Sequence, residues 1–168
     1  MWHCGRVSKT SVLGGKPLAP SQITARQKVA TMTGAQEDAD EPEELTEEGI
    51  KELIRKFRKA AENSKKAGFD GVQLHGANGY IVDQFIRDAT NQRNDKYGGK
   101  VENRVRFPLE VIDQLIDVYG KANVGIKLSP VTRYGDMYDS DPVKTYTYLL
   151  KQLSQKGIGF VELVEPDR

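Results

Sequence analysis

The sequence predicts an α/β fold built on a parallel sheet. An amphipathic helical stripe followed by a short β-rich run occurs three times between Thr46 and Val164, and a glycine follows each helix. The β-rich runs also alternate an apolar face with a polar one. Strands of an open sheet covered on both sides usually read as continuous apolar runs. A face that turns polar toward the carboxyl end fits a (β/α)8 barrel, whose outer strand faces meet helices and whose strand ends point into a site. An open sheet with a ligand crevice gives a similar pattern.

Residues 1–44 hold Gly14, Gly15, Pro17, Pro20 and Pro42 with little periodicity, and they read as loop. After Thr46, Ile50, Leu53, Ile54, Phe57, Ala60, Ala61 and Ala67 recur at helical spacing, and Gly68 stands where a helix ends in left-handed backbone. Val72–His75 is the first strand. The second stripe runs Val105, Leu109, Ile112, Leu115, Ile116 and Tyr119 and closes at Gly120. Pro108 within it removes one helical hydrogen bond unless it lies in the first turn. Val124–Leu128 is the second strand. Asp141 as cap and Pro142 at the first helical position open the third helix, which shows Val143, Tyr146, Leu150 and Leu153 and stops at Gly157. Phe160–Val164 is the third strand.

Hydrophobic residues at 38% and charged residues at 29% allow a buried core and argue against disorder. No apolar run approaches the roughly 20 residues that span a bilayer. No charged-then-apolar leader opens the chain, so the expectation is a cytoplasmic protein. Cys4 is the sole cysteine, which rules out a disulfide within the chain and fits a reducing compartment. His3, Cys4 and His75 lack paired ligand spacing, so no metal is expected. Net charge is +1, but eight acidic residues and no basic one lie between Glu37 and Glu48; without them 25 basic residues face 16 acidic ones, or +9. A basic body would attract phosphate-bearing ligands. The simpler reading of the acidic run is a solvated, mobile loop that keeps the chain soluble. No basic stripe with interleaved aromatics points to nucleic acid.

The chemistry-bearing stretch is His75-Gly-Ala-Asn78-Gly-Tyr80, which follows directly on a strand. His75 and Asn78 can each donate a hydrogen bond, and two donors aimed at one oxygen polarise a carbonyl. The Tyr80 hydroxyl could deliver a proton. A histidine at a strand end is more often structural, and a tyrosine after a glycine turn more often packs; spacing leaves both readings open. Lys127 shares the polar strand face with Gly125 and Ser129, and its bland reading is a solvated strand-end lysine. Gly157-Ile-Gly159 is a fragment of a dinucleotide-binding motif at best, and Gly15-Lys16 is followed by Pro17, so no phosphate loop is present.

From His75 to Phe107 the chain reads HGANGYIVDQFIRDATNQRNDKYGGKVENRVRF, which closely resembles the hallmark stretch of the old yellow enzyme family. Trp2–Ser8 resembles that family's segment after its third barrel strand, Val124–Pro130 the end of its fifth, and Val164–Pro166 the end of its sixth. The resemblance is good from about Leu45 onward and patchier from Lys9 to Glu44. It implies a partial (β/α)8 TIM barrel, roughly strands four to six with their helices. Residues 1–44 would follow a missing strand and end in the acidic run, and residues 45–168 would be the central portion of an FMN-binding barrel. It implies reduction of the C=C bond of α,β-unsaturated carbonyl compounds with FMN and NAD(P)H. By motif position His75 and Asn78 would bind the enone oxygen, Tyr80 would donate the proton, and Lys127 would stand beside the flavin where the family usually has arginine. Lysine keeps the charge without the planar fork. Asn91, Arg93, Asp95, Tyr97, Gly98, Gly99, Glu102, Asn103 and Arg104 would tie the long loop to the following helix.

A complete barrel typically has about 250 residues, so the resemblance also implies truncation at both ends. The competing readings are a catalytically inactive barrel fragment, at most an interaction module, and an unrelated phosphate-binding half-barrel, against which the His75–Phe107 stretch argues. Three parallel strands leave two unpaired edges and a wet inner face. The isolated chain is therefore predicted to be weakly stable, to self-associate, or to require a complementing chain. Elution volume and a melting curve check this, and a stable monomer contradicts it.

Overall fold

The computed structural model describes residues 1–165. In chain order the elements are α1 (Thr10–Leu13), β1 (Leu18–Ala19), β2 (Lys28–Ala30), β3 (Gln36–Asp38), β4 (Glu43–Glu44), α2 (Glu47–Lys66), β5 (Val72–Gly76), α3 (Ile81–Ile86), α4 (Val101–Arg104), α5 (Arg106–Tyr119), β6 (Val124–Leu128), α6 (Pro142–Lys156) and β7 (Phe160–Leu163). The strand ends on Leu163, and Pro166 of the motif read at Val164–Pro166 lies outside the described residues.

The three helix-then-strand units form as the periodicity predicts. Thr46 caps α2 by accepting from the Gly49 nitrogen at 3.0 Å, and Asp141 caps α6 by accepting from Lys144 at 3.0 Å with Pro142 at the first helical position. The second helical stripe is broken: α4 ends at Arg104, and α5 starts at Arg106. Pro108 therefore lies in the first turn of α5, where its missing N–H has no helical partner to lose.

Strands β5, β6 and β7 make one parallel sheet in that order. Register sets His75 beside Lys127 and Lys127 beside Glu162. One face of β5 and β6 carries Val72, Leu74, Val124, Ile126 and Leu128, all buried in a core with α2, α3 and α5. The other carries Gln73, His75, Gly125 and Lys127. A Cβ at Gly125 would lie 2.4 Å from the tip of the exposed Phe160 ring, so glycine lets that ring lie over β6. All four residues of β7 are exposed.

Residues 1–44 differ from the loop expected. Strands β1 and β4 pair in parallel, and β2 and β3 form an antiparallel hairpin around Thr31–Ala35. Strands of two or three residues are too short to show a period. The acidic run is solvated as expected, and part of it is tied to the body: Lys9 contacts Glu37 at 3.2 Å and Asp40 at 3.1 Å, and Arg93 contacts Glu44 at 3.3 Å.

The long connection from α3 to α4 is tied as expected. The Asn91 amide donates to the Phe85 and Tyr97 carbonyls, Asn103 to that of Gly98, and Arg104 to those of Ile86 and Gly99. These bonds bring Phe107 into the core, with its ring 4.3 Å from Phe85 and 6.4 Å from Phe57. Phe107 is fully buried. Phe107→Ala is expected to lower unfolding free energy by about 3–5 kcal/mol, read as a lower urea midpoint at unchanged slope. Lys151→Ala on exposed α6 surface is expected to stay within about 0.5 kcal/mol.

Candidate active site

The carboxyl end of β5 runs into a tight turn at Ala77–Tyr80. Asn78 has φ of 58° and Gly79 φ of 80°, and the Tyr80 nitrogen donates to the Ala77 carbonyl at 3.3 Å. Two positive φ values in succession across such a bond match a type I′ turn, for which Asn-Gly is the favoured pair. The backbone nitrogen of Asn78 donates to Ser129 Oγ at 2.8 Å, and that of Gly79 to Asp83 Oδ2 at 3.0 Å. The turn is therefore anchored both to the end of β6 and to α3.

Asp83 is fully buried. Besides Gly79 it accepts from Arg87 Nε at 2.8 Å, Tyr146 Oη at 3.1 Å and Ser129 Oγ at 3.2 Å. Arg87 also donates to the carbonyls of Thr132 and Ser129. Burial first, and then the Asp83 charge, push the Tyr146 hydroxyl well above the ordinary phenol range, so it remains a donor. Ser129, expected on the polar face with Lys127, is instead fully buried in this network.

A second tie comes from the start of the chain. The Met1 nitrogen donates to the Gln73 carbonyl at 2.7 Å, and the His75 nitrogen donates to the Met1 carbonyl at 2.9 Å, which is the bonding of a parallel strand pair. The buried Gln84 amide donates to the carbonyls of Cys4 and Gly79 and accepts from the Arg6 nitrogen. These bonds place Trp2 edge-on to Tyr80, with ring centres 5.1 Å apart; His75 lies 5.3 Å from the same tyrosine. Trp2, Gln73, His75, Asn78 and Tyr80 line one open hollow.

The four residues singled out from sequence thus fall into two groups. His75, Asn78 and Tyr80 share the hollow, and Lys127 is the register neighbour of His75. The Lys127 ammonium is bonded to Glu162 Oε1 at 2.8 Å, while Gln73 Nε2 donates to Glu162 Oε2 at 2.7 Å. Sequence reasoning passed over Glu162, although its two-residue phase with Phe160 gave a signal. It also passed over Asp83 and Arg87, whose spacing of four, from a short helix to the residue that caps its end, was the available clue.

Burial, then the Lys127 charge, lower the His75 pKa from its ordinary 6.5, so the imidazole is neutral at pH 7 and has one N–H to give. Burial, then Tyr134 and Cys4, raise the Tyr80 pKa, so its hydroxyl keeps its proton. The arrangement offers two neutral donors and a protonated phenol around one space, with a cation close by. That donor set suits a carbonyl oxygen gaining negative charge. Lys127 and Gln73, the other polar groups on this strand face, are both bonded to Glu162. Among the described residues no cluster of three histidine, cysteine or acidic side chains forms a metal site, and no helix is long and apolar enough to cross a membrane.

The model of the NADH:flavin oxidoreductase / NADH oxidase family matches residues 1–166. The chain is 41% identical over 167 residues to 12-oxophytodienoate reductase 1 of Oryza sativa subsp. japonica, covering 99% of this chain and 43% of that protein. Morphinone reductase superposes with a TM-score of 0.94 at 37% identity, over 99% of this chain and 46% of that one. The old yellow enzyme homologue from Zymomonas mobilis superposes at 0.93 with 40% identity, over 96% and 45%. The chain spans less than half the length of these relatives.

Removing Asp83 strands a buried guanidinium and frees the Asn78–Gly79 turn. Asp83→Ala is expected to cost about 3–5 kcal/mol of stability, measured by chemical denaturation.

Proposed function

Because the chain belongs to the NADH:flavin oxidoreductase / NADH oxidase family, we propose that it carries the substrate wall of an FMN-dependent ene-reductase. Residues 45–168 are read as the central portion of an FMN-binding (β/α)8 barrel, with β5, β6 and β7 as its strands four to six. Residues 1–44 are read as the segment that follows strand three. The observation that carries this reading is the convergence of His75, Asn78 and Tyr80 on one hollow at the carboxyl end of parallel strands, with Lys127 in register beside His75.

When bound, FMN reduced by NAD(P)H supplies the hydride that reaches the alkene β-carbon. The residues of this chain do the rest. His75 and Asn78 donate to the carbonyl oxygen of the enone and stabilise the charge that grows there, which is the work of an oxyanion hole. Tyr80 Oη gives its proton to the α-carbon. Its raised pKa suits an acid that must stay protonated until that step. Trp2, edge-on to Tyr80, limits where the phenol ring can turn. Lys127 contributes the cation that favours a negatively charged reduced flavin.

The reading is tested by loading the protein with FMN, removing the excess, and recording the visible spectrum and flavin stoichiometry. Retained flavin with a shifted spectrum, reoxidised by an enone, is expected. A colourless protein overturns the reading for this chain. Tyr80→Phe is expected to slow enone-dependent reoxidation by about 10²–10⁴-fold while leaving reduction by NAD(P)H unchanged.

A further inference from the structure

We infer that Glu162 is a positioning residue of this site: by holding Lys127 and Gln73 at once, its carboxylate fixes where the Lys127 ammonium sits relative to His75. The geometry is specific. His75, Lys127 and Glu162 are register neighbours on three adjacent parallel strands, so their side chains stand in one row on one face. Glu162 Oε1 takes the Lys127 ammonium at 2.8 Å, and Oε2 takes the Gln73 amide at 2.7 Å. Gln73 lies two residues before His75 on the same strand face, so the bond from Gln73 to Glu162 crosses the whole of β6.

A two-membered pair between exposed lysine and glutamate is loosely held and contributes little. A third partner changes that. With both oxygens committed to different strands, the carboxylate has one orientation, and the lysine must meet it there. The charges that act on His75 are those of Lys127 from β6, Glu162 from β7, the Met1 amino group and, from its buried network on α3, Asp83; the Tyr80 ring, 5.3 Å away, carries a neutral phenol. Lys127 works against a charged imidazole and Glu162 works for it, so the balance at His75 depends on how the two are held. The inference rests on the enone-site reading for its relevance to catalysis, but its test needs no flavin and no substrate.

The chain has two histidines, so an imidazole titration followed by NMR resolves both, with His3→Gln assigning the signals. Glu162→Gln keeps the shape and removes the charge. The His75 midpoint is expected to fall by about half a pH unit as the ammonium loses its anchor and its counter-charge. In a Lys127→Met background the same substitution is expected to lower the midpoint by less, because only the direct loss of the Glu162 charge remains and no cation is left to move. Glu162→Asp keeps the charge but draws it back by one methylene, and it is expected to lower the midpoint as well. Circular dichroism confirms that each variant is folded. No fall with Glu162→Gln, or a fall equally large in the Lys127→Met background, overturns the inference. Failure to bind FMN leaves it standing and counts against the functional reading instead.

Discussion

The ion pair between Asp83 and Arg87 is the constraint on which the site depends. Both side chains are withdrawn from water, and taking two charges out of water is costly unless every remaining hydrogen-bonding position is filled. Here they are filled from three directions. Gly79 comes from the turn, Ser129 from the end of β6 and Tyr146 from α6, while Arg87 closes onto the carbonyls of Ser129 and Thr132. The pair is less a source of stability than a means of having one geometry. If any of the three elements shifts, a buried charge loses a partner. The positions of Asn78 and Tyr80 follow from that demand rather than from their own contacts.

Other arginines act the same way at longer range, and they change the meaning of the charge balance. Arg6 reaches the carbonyls of Ile23, Thr24 and Gly135 and pairs with Asp136 at 2.7 Å. Arg93 reaches those of Pro20 and Leu45, and Arg104 ties Ile86 and Gly99 to Asp139. These three and Arg87 are buried. The basic excess that remains outside the acidic run is thus in part internal scaffolding, where a planar fork with five donors can satisfy several loop carbonyls at once. It is not all available to draw in a phosphate-bearing ligand.

What could be read from the sequence and what could not divide along the range of the interactions. The helices and parallel strands announce themselves through local alternation: Ile50, Leu53 and Phe57 on α2, and Leu74 and Ile126 on the sheet, are buried as their spacing requires. The phase of His75 and Lys127 on one face was legible for the same reason. The strands within residues 1–44 were not, because a two-residue ladder such as Leu18–Ala19 with Glu43–Glu44 exists only through its partner. Glu162 gained meaning only when register placed it beside Lys127, and Ser129, expected on the polar face, is turned inward at the end of β6. Asp83 was hidden inside an apolar helix whose every residue is buried.

The turn that presents Asn78 also bears on how the protein ages. Asparagine followed by glycine is the sequence most prone to spontaneous deamidation, in which the glycine nitrogen attacks the asparagine side-chain carbonyl and a cyclic imide forms. In this fold the Gly79 nitrogen is committed to the Asp83 carboxylate, and the Asn78 backbone is held left-handed between Ser129 and Gly79. The nucleophile of the damaging reaction is occupied by the hydrogen bond that shapes the site. Aspartate at 78 would face the hollow with acceptors alone, where the amide offers donors. The bond that shapes the turn therefore also protects, over the lifetime of the molecule, the side chain the turn presents.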